Sequence, residues 1–387
     1  MCDFPEEFTC ASGACVRIYK RCDNFKDCED GSDEDDCSRM IVPKSYEKSA
    51  APKLGEDTTH ANDIYTKVRI INFDFVDTVS MEVGLTVEVS FQWIDPNIYF
   101  LDAKHTDAPE EFKVIPDKEK GQIWQPFEHS VFDNAVIGET KEQSYTLAVI
   151  IKSDANTRDP NAPKDSLIHP GDKNPLRITQ KMKMVYRCTF YVKNFPFDNQ
   201  KCRFFISIPM EGNTIKFTHD ENSISYEGSF ILKEFQIIRI YPTTNSTKER
   251  SSFVYTVLFQ RLYQQHLIST FLQSFLLWLL AYMTLYIDIV DFSNRFMGSV
   301  TSLLVLTSLH GSMEDSLPKT AYFKDIDIWF NWFLTNIFLI ILNHGLVDYL
   351  LKKGMSVARI NQASMVVAFS MNFMFVVLYF SYTLLQV

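Results

Sequence analysis

The chain has 387 residues and a formal net charge of −10, and its apolar residues are unevenly placed: roughly the first 260 positions are polar and strand-like, whereas the last 125 or so hold long apolar runs. That length leaves room for two or three domains, and an acidic chain with no basic face is excluded as a nucleic-acid binder. No Gly-x-Ser-x-Gly, Gly-Asp-Ser-Gly-Gly or His-Glu-x-x-His run occurs and the eight histidines are scattered, which removes enzyme readings such as a membrane-tethered serine protease.

Residues 1–40 carry eleven acids against five bases, so −6 of the net charge sits there. The same stretch holds six of the eight cysteines: Cys2, Cys10, Cys15, Cys22, Cys28 and Cys37. So short a segment cannot bury enough apolar surface to fold unaided, and needs disulfides, a metal or both. The run Cys22-Asp23-Asn24-Phe25-Lys26-Asp27-Cys28-Glu29-Asp30-Gly31-Ser32-Asp33-Glu34 resembles the LDL-receptor class A repeat. The resemblance implies pairing first–third, second–fifth and fourth–sixth, that is Cys2–Cys15, Cys10–Cys28 and Cys22–Cys37. It also implies a Ca2+ ion held by the carboxylates of Asp23, Asp27, Asp33 and Glu34 and by the carbonyls of Lys20 and Phe25, which suits a cation that wants six or more oxygens. The module is expected over 1–38, with a linker over 39–60. No signal peptide is visible, because Met1 runs straight into Cys2, so the expectation is that the numbering begins within a trimmed chain.

From Ile64 to about Phe259, short β-branched and aromatic runs alternate with Gly, Pro and Asn turns; Leu85 to Phe91 alternates with period two. This pattern predicts a β-sandwich over 61–260, with Asp154–Pro175 as a polar surface insertion. Cys188 and Cys202 enclose thirteen residues that include Phe195-Pro196-Phe197-Asp198. Paired cysteines in both clusters predict an oxidising compartment, and Asn245-Ser246-Thr247 is a glycosylation acceptor at Asn245.

Four apolar segments follow within 261–387, at about 267–286, 295–313, 326–346 and 363–385, each long enough to cross about 30 Å of hydrocarbon. The basic stretch between the third and fourth, with Lys352, Lys353 and Arg359, places that side in the cytoplasm and both termini outside the cell.

The Cys188–Cys202 loop, its Phe-Pro-Phe-Asp core and the four spans behind it resemble the Cys-loop pentameric ligand-gated ion channels, over residues from about 60 to the end. The fold class expected is therefore a multi-domain membrane protein: a disulfide-rich Ca2+ module, an extracellular β-sandwich and a four-helix transmembrane bundle. The resemblance implies a homo- or hetero-pentamer in the plasma membrane lipid bilayer, opened by a small-molecule or ion agonist. It implies that the loop presses on the membrane part through Phe195, Pro196, Phe197 and Asp198, with Asp198 paired to Arg261 and with Pro318 and Lys319 as the opposing turn. Family members commonly carry prolines in or before the first span; Leu262 and Gln273 stand there instead, so a straighter first span is expected.

Read as a helix, the second span puts Met297, Thr301, Leu304, Ser308, Gly311 or Ser312, and Asp315 on one face. Five such faces make a water-filled pore with an apolar constriction at Leu304. Glu314 and Asp315 at one mouth and Asp288 and Asp291 at the other form negative rings, which favours cations. Ser293-Asn294 before Arg295 matches neither the anion nor the cation pattern, and Asp325-Ile326-Asp327-Ile328-Trp329 resembles anion-selective relatives, so an anion (chloride) channel is the alternative. A receptor for adhesion or endocytosis, using the class A module, is the other.

The implied agonist site lies between subunits. Its candidate residues here are Phe132 after Trp124, Ile208 with Pro209, Glu88 on the complementary face, and Tyr241, Phe253 and Tyr255 of the last hairpin. The adjacent cysteine pair of acetylcholine-binding relatives is missing, which argues against that agonist and leaves another small ligand, a proton or a metal.

Overall fold

The computed structural model describes every residue except 1, 4, 5, 23, 24, 36, 38, 39, 55–60, 102–111, 137–140, 152–167, 210–213, 248, 386 and 387. The N-terminal module is a small hairpin of β1 (Glu7–Thr9) and β2 (Cys15–Arg17). It is stapled by Cys2–Cys15, Cys10–Cys28 and Cys22–Cys37 around a minute core of Phe8, Cys10 and Cys28. Three apolar residues cannot offset the backbone entropy of such a segment, so the cross-links carry its order.

The 39–60 stretch does not behave wholly as a linker. β3 (Met40–Ile41) pairs with β6 (Tyr99–Leu101), which pairs with β9 (Ile168–Pro170). The Tyr46 hydroxyl donates to Asp95 at 2.6 Å, and burial raises the Asp95 carboxyl above its ordinary range. The main sheet runs β12 (Ile215–Thr218), β4 (Asn62–Asp77), β5 (Glu82–Trp93), β10 (Leu176–Arg187), β8 (Lys141–Ile150) and β7 (Phe112–Val114), with β13 (Ile224–Tyr226) also on β4. The facing sheet is β11 (Asn199–Ile208), β15 (Ser251–Arg261) and β14 (Phe235–Ser246). Period-two alternation turns Leu176, Ile178, Met182 and Met184 of β10 inward, against Phe204, Phe253 and Tyr255 from the opposite sheet. The short helices α1 (Asp117–Lys120) and α2 (Pro126–His129) cap one end.

Four helices are long and apolar enough to cross a membrane. The first, Gln264–Tyr286, joins α3 (Gln264–His266), a π-helical run Leu267–Leu272 and α4 (Gln273–Met283). The span runs as one continuous helix with this π-helical turn inside it. Without proline the helix widens where side-chain hydroxyls take over carbonyls: Ser269 Oγ donates to Gln265 O at 2.9 Å and Ser274 Oγ to Thr270 O at 2.8 Å. α5 (Phe292–Asp315), α6 (Asp325–Lys352) and α7 (Ala358–Leu384) follow. α6 and α7 extend into the stretch expected to connect them and leave only residues 353–357 outside a helix. Aromatics bind the first span, α6 and α7 together: Trp329 lies 4.8 Å from Phe271 and 5.0 Å from Tyr379, and its Nε1 donates to Ser274 Oγ at 2.7 Å.

Phe204 sits fully buried at the centre of the sandwich, 4.8 Å from Tyr255 and 4.9 Å from Tyr186. Phe204→Ala is expected to cost about 3–5 kcal/mol, read as a lowered thermal midpoint of the detergent-solubilised protein, with Phe204→Leu falling in between.

Candidate functional site

The sandwich meets the helices through the loop closed by Cys188–Cys202. Asp198 and Arg261 are both almost fully buried there, and they form a two-pronged ion pair, Nε to Oδ1 at 2.8 Å and Nη2 to Oδ2 at 3.2 Å. The guanidinium is sandwiched between the rings of Phe195 and Phe235, 4.9 and 4.4 Å from their centroids. Gln200 Nε2 also donates to Asp198 and to Tyr191 O, so the carboxylate is satisfied as well as paired. Glu234 adds a longer contact to Arg261 at 3.4 Å.

The loop's remaining residues face the helices. The Phe195–Pro196 peptide is cis. Phe195 packs on His266 at 4.9 Å, and Phe197 on Tyr263 at 5.1 Å and Phe271 at 6.2 Å. Pro318 is buried and Lys319 exposed. The loop's polar contacts to the far side reach Tyr322 and Asp325: Val192 N donates to Tyr322 Oη at 3.2 Å, and Asp325 N to Lys193 O at 2.8 Å. Tyr322 closes the Ser316–Tyr322 turn expected to oppose the loop, whereas Asp325 was not singled out for this contact, because a bond between two main-chain groups leaves no residue-type signal. A cavity of about 430 Å³ lies beside the joint, between the β4–β5 turn, Leu232–Phe235 and Ser316.

On α5, Met297, Thr301, Leu304, Ser308, Ser312 and Asp315 share one exposed stripe, with Met297 60% and Leu304 64% exposed. Arg295, Ser299, Ser302 and Leu306 occupy the buried side. The helix start is capped by Asp291, whose carboxylate accepts from Asn294 N at 3.3 Å and Nδ2 at 2.5 Å. Behind it lies a buried polar network that sequence reading missed. Arg295 donates to Thr284 O at 3.3 Å and Asn361 Oδ1 at 2.5 Å; Asn361 Nδ2 donates to Leu285 O at 3.1 Å; and Thr284, Ser299 and His344 meet within 2.9–3.1 Å. It ties α5 to the other three spans. No carboxylate pairs with Arg295 among the described residues.

Within one protomer the expected agonist residues stand apart. Phe253, Tyr255 and Ile208 are fully buried and face the sandwich core. Burial pushes the Tyr186 and Tyr255 phenols well above their usual range, so both stay neutral and simply hydrogen-bond at 3.5 Å. Glu88 is held by Arg69 at 2.8 Å, which also reaches Glu227 at 2.8 Å. Phe132 and Tyr241 are half-buried, and Asn245 is exposed. Where the loop after Trp124, the end of β11 and the last hairpin meet, charged and hydroxyl side chains gather instead: Asp133, Ser207 and Arg250.

In the N-terminal module, Asp33 is fully buried, its Oδ2 accepts from Asp27 N at 2.6 Å, and its Oδ1 has no partner among the described residues. An unpartnered buried carboxylate oxygen suits a bound cation. Lys20 places its ammonium on Asp27. Asp23 lies outside the described residues, and Phe25 is exposed.

Removing one partner of the Asp198–Arg261 pair strands a buried charge. Asp198→Asn or Arg261→Gln is expected to cost about 3–5 kcal/mol, seen as lost thermal stability and surface expression. The double variant should be milder than the sum of the two.

Comparison with known proteins agrees with this layout. The family model for the neurotransmitter-gated ion-channel ligand binding domain matches residues 36–268, and that for the low-density lipoprotein receptor domain class A matches residues 1–37. Among similar proteins is the gamma-aminobutyric acid receptor subunit beta of Lymnaea stagnalis, 21% identical over 355 residues, 89% of this chain and 66% of that protein. The glutamate-gated chloride channel subunit beta of Haemonchus contortus is 20% identical over 291 residues, 71% of this chain and 60% of its own. The pH-sensitive chloride channel 2 of Drosophila melanogaster is 22% identical over 330 residues, 80% of this chain and 58% of its own. The chain thus spans somewhat under two thirds of the length of these curated relatives.

Proposed function

Because this chain belongs to the family of neurotransmitter-gated ion channels, we propose that it is one subunit of a pentameric, ligand-gated, anion-selective channel of the plasma membrane. The observation that carries the channel reading is the exposed stripe of α5, polar except for Met297 and Leu304, set against a buried face that anchors the helix. Five copies enclose water, and Leu304 supplies the apolar ring that closes by dewetting. An agonist bound between subunits shifts the sandwich, the Asp198–Arg261 joint passes the shift to the spans with Pro318 and Lys319 nearby, and the ring of five helices opens.

The weak preference for cations read from the acidic rings gains no support from the relatives, two of which are named as chloride channels. The buried charge of Arg295 favours the same side. Its hydrogen-bond partners are neutral and Asp288 acts on it only from beyond ion-pair distance, so five such positive charges surround the inner mouth. Asp291 is committed to capping the helix.

The class A module, over about 1–38, is proposed to hold Ca2+ through Asp23, Asp27, Asp33, Glu34 and the carbonyls of Lys20 and Phe25. The ion would supply the order that three core residues do not. A glycan at Asn245, a cytoplasmic 353–357 connection and extracellular termini complete the reading.

Two experiments test it. In voltage-clamped oocytes the reversal potential is expected to follow chloride, and Arg295→Gln should weaken that dependence; a potential that tracks sodium contradicts the anion reading. Leu304→Thr should raise the current that flows without added ligand, a shift of about tenfold, or about 1.4 kcal/mol, toward the open state. For the module, chelation or Asp33→Asn should unfold residues 1–37, followed by limited proteolysis; a chelator-resistant module contradicts the calcium assignment.

A further inference from the structure

The last span is the least buried of the four, yet one of its side chains reaches the base of α5. Asn361 lies in the first turn of α7, where its main-chain N donates to Val357 O at 3.0 Å, and it is only 4% exposed. Its amide is used at both ends. Oδ1 accepts from Arg295 Nη2 at 2.5 Å, and Nδ2 donates to Leu285 O at 3.1 Å. That orientation is forced, because a guanidinium can only donate and a carbonyl can only accept.

Arg295 is 1% exposed, and its Nε donates to Thr284 O at 3.3 Å. Thr284 and Leu285 belong to the short turn Thr284–Tyr286 that ends the first span. Carbonyls in a last helical turn have no helical donors ahead of them and carry the negative end of the helix dipole. Arg295 and Asn361 fill two of these carbonyls together. The guanidinium is thus clamped between the close of the first span and the opening of α7.

A buried arginine is ordinarily held by a carboxylate. Here the acceptors on Thr284 and Asn361 are neutral oxygens. An aspartate in place of Asn361 has nearly the same shape and makes a stronger, charge-assisted bond. The amide instead fixes the guanidinium without cancelling its charge. Arg295 stands two positions before Met297, where the exposed stripe begins. A helix is about 10 Å across with its side chains, so the charge lies within about that distance of the lumen, and a buried charge is screened by salt less than a surface one.

We infer that Asn361 is a positioning residue for anion preference: from the least buried span it holds the Arg295 guanidinium at the base of α5 and, being neutral, leaves that charge to act on the passing ion. This rests on the anion-selective pore proposed above.

The test uses full-length channels in voltage-clamped oocytes, in the Leu304→Thr background so that current flows without added ligand. The chloride-to-sodium permeability ratio is read from reversal potentials as external salt is replaced. Asn361→Asp should lower the ratio by about tenfold, as should Arg295→Gln, whereas Asn361→Gln, which keeps a neutral amide, should stay within about twofold of the parent. Should Asn361→Asp fail to reach the surface alone, it is epitope-tagged and coexpressed with the parent chain. Surface assemblies that contain the tag should then show an intermediate ratio, and a parental ratio in them overturns the inference. Equal loss with Asn361→Asp and Asn361→Gln means that the residue only packs, and overturns it. A ratio lowered by Arg295→Gln but unmoved by Asn361→Asp overturns it and leaves the anion reading standing. A parent that tracks sodium, or passes no current, overturns both.

Discussion

Arg261 and Asp198 meet below the sandwich with almost no water around them, and everything above and below is fastened to that contact. A buried ion pair offsets its desolvation only when its geometry is good and its spare atoms are satisfied. Both conditions hold: the fork is two-pronged, two aromatic faces close over the guanidinium, and Gln200 adds a further donor to Asp198 Oδ2. Arg261 is the last residue of β15 and stands immediately before the first span, while Asp198 belongs to the disulfide-closed loop that docks on the start of α6. The pair therefore joins a strand, a loop and two helices at one point, and such a point cannot move by one part alone.

A second fixed point lies at the start of α5. Arg295, Thr284, Ser299, His344 and Asn361 form a buried polar network that ties α5 to every other span. Polar groups in hydrocarbon are costly unless paired, so a network of this kind specifies one position for the helix end. Beyond that network α5 is held by side-chain packing and by Thr270 Oγ1, which donates to Met313 Sδ at 3.4 Å, and otherwise presents its exposed stripe.

Much of this was legible in the residues. Cysteine spacing, the Phe-Pro-Phe-Asp core and the helical spacing of Met297, Thr301, Leu304 and Ser308 depend on local sequence alone, and strand alternation gave the sandwich. What was not legible depends on parity or on distance. Phe253 and Tyr255 differ from outward-facing residues by one position, and a one-residue shift turns a strand residue to the opposite face. Asp133, Ser207 and Arg250 are separated by 74, 43 and 117 positions, and nothing local announces that they meet. The acidic residues flanking α5 suggested a cation pore because charge is visible in sequence whereas the burial of Arg295 among neutral partners is not. The π-helical run escaped for a similar reason: hydroxyls that bond back to the helix look the same in sequence as hydroxyls that do not.

All eight cysteines are tied up in disulfides, so a cysteine introduced into α5 is a unique thiol. Single cysteines placed from Met297 to Ser312 and exposed to a charged, water-soluble thiol reagent during channel activity test the central claim most directly. The account predicts that current changes at positions 297, 301, 304, 308 and 312 and is unaffected at 299, 302 and 306. Reaction confined to the second set, or at no position along the helix, would contradict a water-filled ring lined by this face.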